Sequence, residues 1–175
     1  MPDCPKIYHP FLIGAAIYLR GIDLADIAGK WVSWFNEKDV TKYMFNGTFP
    51  NTRERLIDYY EKTCVNNHND IVLAIIEKDS NEHVGNIGIH RINYLYRRAE
   101  LGIVIGEKSI WGKGYGSAAC SLITRHCFNR LNLHKIFLRV AAENKGGIRA
   151  FEKAGFAVEA VLKDEIISDG RFCDS

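Results

Sequence analysis

The chain has 175 residues, 47% of them hydrophobic, which is apolar material for one core; two cores of half that size would each be marginal. Lys and Arg number 23 against 21 Asp and Glu, and the two signs are mixed throughout, so no basic face or tail is present to track a phosphate backbone and nucleic acid is excluded as a partner. The cysteines (Cys4, Cys64, Cys120, Cys127, Cys173) are odd in number, widely spaced and without C-x-x-C, which argues against a disulfide framework and against a metal site and fits reduced thiols in the cytoplasm.

The first apolar run, "FLIGAAIYL", is too short to span a bilayer and lacks a basic n-region, so no membrane partner is expected; it leads into a strand at 16–20. "DLADIAGKWVSWFN" reads as one or two short helices and "NTRERLIDYYEKTC" as another, with Asn51 and Glu54 spaced as a capping box and Leu56, Tyr59, Tyr60, Thr63 and Cys64 on one stripe. "DIVLAIIEKD", "HVGNIGIHRI" and "RAELGIVIG" follow at hairpin spacing, which leaves no room for crossover helices and predicts an antiparallel meander. In the third of these, Leu101, Ile103 and Ile105 point one way while Glu100, Gly102 and Val104 point the other. A helix from Gly114 to about 130, a strand "KIFLRVAA", a helix "GGIRAFEKAG" stopped by Gly155 and a last strand "FAVEAVLKD" complete the order. With no repeat or linker, the reading is one α/β (α+β) domain over 1–175, a mixed and mostly antiparallel sheet flanked by helices.

"SIWGKGYGSAA", 109–119, puts Gly112, Gly114 and Gly116 just ahead of a helix. The first N–H groups of a helix lack intrahelical partners and carry the positive end of its dipole, so an anion is well received there, and glycines let backbone approach it. A Walker P-loop does not fit in any register. A dinucleotide fingerprint matches Gly114, Gly116 and Ala119, with Glu143 as a ribose-binding acid, but it follows an antiparallel meander instead of opening repeated strand and helix units.

The third possibility is a pyrophosphate loop of the R/Q-x-x-G-x-G/A kind. "AELGIVIGEKSIWGKGYGSAA" together with "ENKGGIRAFEKAGF" resembles the GNAT superfamily of acetyl-CoA-dependent N-acetyltransferases, on the branch holding ribosomal-protein, polyamine and amino-sugar acetyltransferases. That resemblance implies a splayed strand pair holding coenzyme A. It gives Trp111, Gly112, Lys113, Gly114, Tyr115, Gly116 and Ser117 to the pyrophosphate, Ile103, Val104 and Ile105 to the pantetheine, and Asn144 to the cofactor arm. Trp111 stands where many members have Arg or Gln, which the amide contacts tolerate, and Phe151, also beside the cofactor, stands where the family often has a tyrosine that protonates the leaving thiolate. Trp34, Tyr43 and Asn46 match the segment that lines the acceptor pocket. Family members continue past "RFCDS" into a final strand, so part of that pocket is expected from elsewhere, a homodimer partner being one source.

In this chemistry an amine attacks the thioester directly. Deprotonating a lysine-like amine of pKa about 10.4 at pH 7 costs roughly 4.6 kcal/mol, whereas an α-amino group near 7.8 costs about 1, so the first needs a general base. Glu100 is the candidate, matching a glutamate that serves as base in some members; the alternative is a sheet residue paired with Arg91, Arg97 or Arg98. His90, at the end of a central strand, is a second candidate base or substrate contact, while His126 reads as a core histidine. A thiol of pKa about 8.5 leaves tolerably without a donor, so Phe151 does not exclude turnover. The acceptor-lining segments are rich in aromatic, amide and basic residues, which suits an amino sugar or a protein N-terminus better than a polyamine. The alternative from another class is a non-catalytic acetyl-CoA sensor.

Overall fold

In the computed structural model, residues 9–175 are described, and Cys4 lies outside them. The chain runs β1 (Leu12–Ile13), β2 (Ile17–Gly21), α1 (Leu24–Ala28), α2 (Trp31–Asn36), α3 (Lys38–Thr41), α4 (Arg53–Tyr59), β3 (Ile71–Glu77), β4 (His83–Asn93), β5 (Arg98–Ile105), α5 (Tyr115–Arg130), β6 (Lys135–Phe137), α6 (Lys145–Lys153), β7 (Ile166–Ser168) and β8 (Arg171–Cys173). Strands β1 to β6 form one sheet in sequence order; β1 to β5 are antiparallel and β6 joins β5 in parallel, while β7 and β8 form a separate hairpin. The meander predicted from spacing is therefore present, and so is the helix after the glycine turn.

Period-two alternation divides β5 between two cores. Leu101 packs with Ile17, Leu19, Ile75, Ile87 and Ile89 against Ala119, Cys120, Ile123 and Cys127 of α5. Val104 packs on the other face with Ile27, Trp31, Trp34, Phe35 and Leu56 beneath α1, α2 and α4. Strand β3, with five consecutive buried residues, is covered on both faces and reads accordingly as a near-continuous apolar run.

A buried ion pair anchors α1 to the sheet. Arg20 on β2 donates from both terminal nitrogens to Asp26, each at 2.7 Å, and the Asp23 N–H donates to Asp26 at 2.8 Å. His83 stands 3.4 Å from the same carboxylate, and burial drives its pKa down against the opposing pull of Asp26. With the Asn86 amide turned to donate to His83 Nε2 at 2.9 Å, its oxygen accepts from Trp31 Nε1 at 3.1 Å.

Three expectations are corrected. The N-cap of α4 is Thr52, whose hydroxyl accepts from the Arg55 N–H at 3.3 Å; Asn51 instead donates its amide to the carbonyls of Phe35, Asn46 and Phe49. After Tyr59 that helix widens into a π-helical turn, Tyr60–Val65. "FAVEAVLKD" is not a strand: a ladder needs a neighbour, and here only Leu162 exchanges backbone hydrogen bonds, with Ser175, while Val158, Val161 and Leu162 remain exposed. His126 is half-buried, edge-on to Phe11. The four described cysteines are free thiols, and no described helix is long and apolar enough to cross a membrane.

Candidate active site

The sheet opens where β5 and β6 part. Arg98, Ala99 and Glu100 pair with Lys135, Ile136 and Phe137, and beyond them the chain from Leu138 leaves the ladder. A cavity of about 840 Å³ fills the gap, lined by Glu100 to Ile105 on one side and by Arg139, Val140 and Ala141 on the other.

The glycine turn closes one end. Gly112 and Gly114 have φ of +82° and +86°, a left-handed backbone that a side chain would strain, and Gly114 is the N-cap of α5. The turn is tied down at three points. Trp111, half-exposed, donates its indole N–H to the Ile105 carbonyl at 2.9 Å, the Lys113 N–H donates to Ile110 at 3.2 Å, and the Tyr115 hydroxyl donates to Glu77 at 2.7 Å. The first-turn amides of α5 are thereby held at the cavity wall with no helical carbonyl to receive them. Trp111, Gly112, Gly114, Tyr115, Gly116 and Ser117 all line the cavity; Lys113 is exposed beside the turn and does not.

Across the gap, Asn144 caps α6 by accepting from the Gly147 N–H at 2.9 Å and also lines the cavity. Phe151, half-buried on α6 and edge-on to Phe156, presents a hydrocarbon ring there and no hydroxyl. Asp39, Tyr43, Phe45 and Asn46 also line the cavity. Trp34 does not join them. It is 2% exposed in the second core, so close beneath Gly106 that a Cβ there would lie within 1.9 Å of its ring, and its expected place in the acceptor pocket is corrected to a core role.

A second cavity, about 390 Å³, adjoins the first through Glu100, Leu101 and Gly102 and is completed by Tyr59, Thr63, Asp70, His90 and Arg91. Glu100 and His90 are cross-strand partners in register, on the same face of the sheet. Glu100 is ion-paired to Arg91, and His90 Nδ1 lies 3.0 Å from Asp70 Oδ1. Of the alternatives Arg91, Arg97 and Arg98, it is Arg91 that pairs with Glu100, whereas Asp70, Asp39 and Arg139 were not found from the sequence. Asp70 sits in "NNHND", which reads only as a turn ahead of a strand. Among the described residues no group of three or more His, Cys, Asp and Glu is placed to hold a metal ion.

The family described as acetyltransferase (GNAT) domain matches residues 16–157. The spermidine N(1)-acetyltransferase of Vibrio cholerae serotype O1 is 30% identical over 140 residues, covering 79% of this chain and 78% of that protein. The spermidine N(1)-acetyltransferase of Escherichia coli K12 is 31% identical over 137 residues, covering 78% and 71%. Among solved structures, the Vibrio cholerae spermidine N-acetyltransferase in complex with CoA and spermine superposes with a TM-score of 0.81 at 27% identity, covering 91% of each chain.

Proposed function

From the premise that this chain belongs to the acetyltransferase (GNAT) family and is an acetyl-CoA-dependent N-acetyltransferase, we propose that it transfers the acetyl group to the primary amine of a small molecule, an amino sugar ahead of a polyamine. The observation that carries the reading is convergence. The open edge of β5, the first turn of α5 and the cap of α6 meet on one cavity, and that cavity continues to a polar end holding Glu100 and His90.

The residues fit coenzyme A. A Cβ at Gly112 would meet nothing within 4 Å, so the surface of the turn is open, and the free amides of the α5 first turn suit a pyrophosphate. Ile103 to Ile105 offer strand backbone to an extended amide-bearing arm, as in β-strand addition. Bound there, acetyl-CoA supplies the thioester. The chain itself binds the amine, orients it between Tyr43, Asn46 and the Glu100 and His90 pair, and accepts its proton at one of those two. Phe151 leaves the thiolate without a side-chain donor at the customary position, which a thiol of ordinary acidity tolerates.

The acceptor class follows from the lining. Besides Glu100, which pairs with Arg91, and Asp39, which lies 3.2 Å from Lys108, the first cavity presents Tyr43, Phe45 and Asn46, and aromatic and amide side chains suit stacking on a ring and hydrogen bonding to its hydroxyls. The named relatives favour the second reading, spermidine. Competition between spermidine and a nucleotide-linked amino sugar, followed by free thiol, decides between them: a clear preference for spermidine refutes the amino-sugar reading. Acetyl-CoA binding without thiol release in the presence of any amine would return the alternative of a sensor. The free thiols are in keeping with a cytoplasmic reaction.

A further inference from the structure

The pairing of Asp70 with His90 is built more carefully than a chance surface contact. Asp70 immediately precedes β3, and its carboxylate is held from three sides: Oδ1 accepts from His90 Nδ1 at 3.0 Å and from the Arg91 N–H at 3.1 Å, and Oδ2 accepts from the Asn67 amide at 2.6 Å. Its side chain is 15% exposed and that of His90 31%. Just past His90 the ladder with β5 slips, and Arg91 adopts φ +54°, a left-handed backbone uncommon outside glycine; such a bulge re-aims the side chains beside it.

Here the bulge lays the imidazole back along the sheet. A Cβ at Gly88 would lie 2.4 Å from His90 Nε2, and one at Gly102 would lie 3.6 Å from it. Gly88 and Gly102 face each other in register, so two missing side chains make the shelf on which the ring rests, and Gly102 lines both cavities. With Nδ1 donating to the carboxylate, Nε2 is the nitrogen left to carry the lone pair whenever the ring is neutral.

We infer that Asp70 and His90 act together as the proton acceptor for the amine, His90 taking the proton on Nε2 and Asp70 positioning the ring and holding the imidazolium that results. The inference rests on the acetyl-transfer reading above. The ammonium gives one proton to Nε2; the freed nitrogen lone pair bonds to the thioester carbonyl carbon; the C–S bond breaks. Of the two protons the nitrogen loses, one leaves on the sulfur as thiol and one passes from the imidazolium to solvent.

Glu100 is the competitor, and its carboxylate is engaged by Arg91. An imidazole, ordinarily near pKa 6.5, is also a better base than a carboxylate, ordinarily near 4.3. The other titratable groups here stay uncharged at neutral pH: burial pushes the Tyr59 phenol far up and raises the Cys64 thiol to about 11, with Asp70 adding to both shifts. Asp70, Arg91 and Glu100 are then the charges facing the ring.

The test is the pH profile of kcat/KM at saturating acetyl-CoA, with whichever of spermidine, an aminoglycoside or a nucleotide-linked amino sugar the wild type acetylates. His90→Gln should lower kcat/KM by about a hundredfold or more and remove the acid limb, with acetyl-CoA affinity by calorimetry unchanged. Asp70→Asn should lower kcat and move the acid limb to lower pH, Asp70→Glu should recover part of the loss, and Glu100→Gln should keep the limb. A His90→Gln enzyme that keeps the limb and a rate within about threefold of wild type overturns the inference, as does a limb lost in Glu100→Gln instead. Nitrogen NMR of the imidazole at alkaline pH is independent of turnover: the proton should reside on Nδ1, and an Nε2–H tautomer overturns the inference. A wild type that binds acetyl-CoA but releases no thiol with any acceptor refutes acetyl transfer itself, a failure separate from either of these.

Discussion

Gly116 lies on the first turn of α5, where a Cβ would stand 3.8 Å from Ile105 Cγ1 and 3.9 Å from Ala150 Cβ, ordinary contact distances. A first methyl therefore fits, and Gly116→Ala should hold or raise stability by up to about 1 kcal/mol through helix propensity, up to about 2–4 °C in Tm. The two further methyls of Gly116→Val project into the gap between β5 and α6, where an anion must approach the α5 amides. Charge-assisted hydrogen bonds are worth about 1.5–3 kcal/mol each, so losing two removes roughly 3–6 kcal/mol, or about 10²–10⁴ in Kd. Calorimetry with acetyl-CoA, beside a thermal melt followed by circular dichroism, measures both quantities on one sample. The expected pattern is a folded Gly116→Val with collapsed affinity and a Gly116→Ala of intermediate affinity. A folded Gly116→Val that binds acetyl-CoA as the wild type does would refute the assignment of the glycine turn to the pyrophosphate.

Phe151→Tyr adds a hydroxyl at the cavity wall and should raise kcat modestly or leave it level; a large loss in steady-state assays would show that the ring packs where a hydroxyl cannot. Asp26→Asn strips the charge partner from buried Arg20 and should cost about 3–5 kcal/mol, roughly 6–20 °C in Tm by calorimetric scan. His83 is held below its ordinary pKa, so the unfolded chain takes up the proton first. Its contribution to stability is present above about pH 6.5 and lost as pH falls from there toward the folded-state value, so Tm should drop on acidification through that window and less so in His83→Gln.

Much of the framework was legible because both periodicity and turn chemistry are local. Leu101, Ile103 and Ile105 alternate with Glu100, Gly102 and Val104, and the two sets do serve different sides of the sheet. What failed was whatever depends on distant neighbours. Trp34 and Tyr43 are both aromatics of one segment, yet α2 is only six residues long, too short for its periodicity to say which ring turns inward. "FAVEAVLKD" carries strand-forming residues in Phe156, Val158 and Val161, but no ladder covers it. Asp70 meets His90 because β3 and β4 pair Ile71 with Ile89, a register that juxtaposes residues twenty apart and leaves no mark on the sequence around either.

The parting of β5 from β6 also couples this protein to metabolite supply. Strand backbone from Leu101 to Ile105 faces a gap instead of a neighbour, so the native sheet is completed only by what enters it. A ligand that binds the folded chain and not the unfolded one adds RT ln(1 + [L]/Kd) to stability, about 2.7 kcal/mol at a hundred times Kd. With acetyl-CoA as that ligand, stability should rise with its concentration, and hydrogen exchange at the amides of that edge should slow as the gap fills.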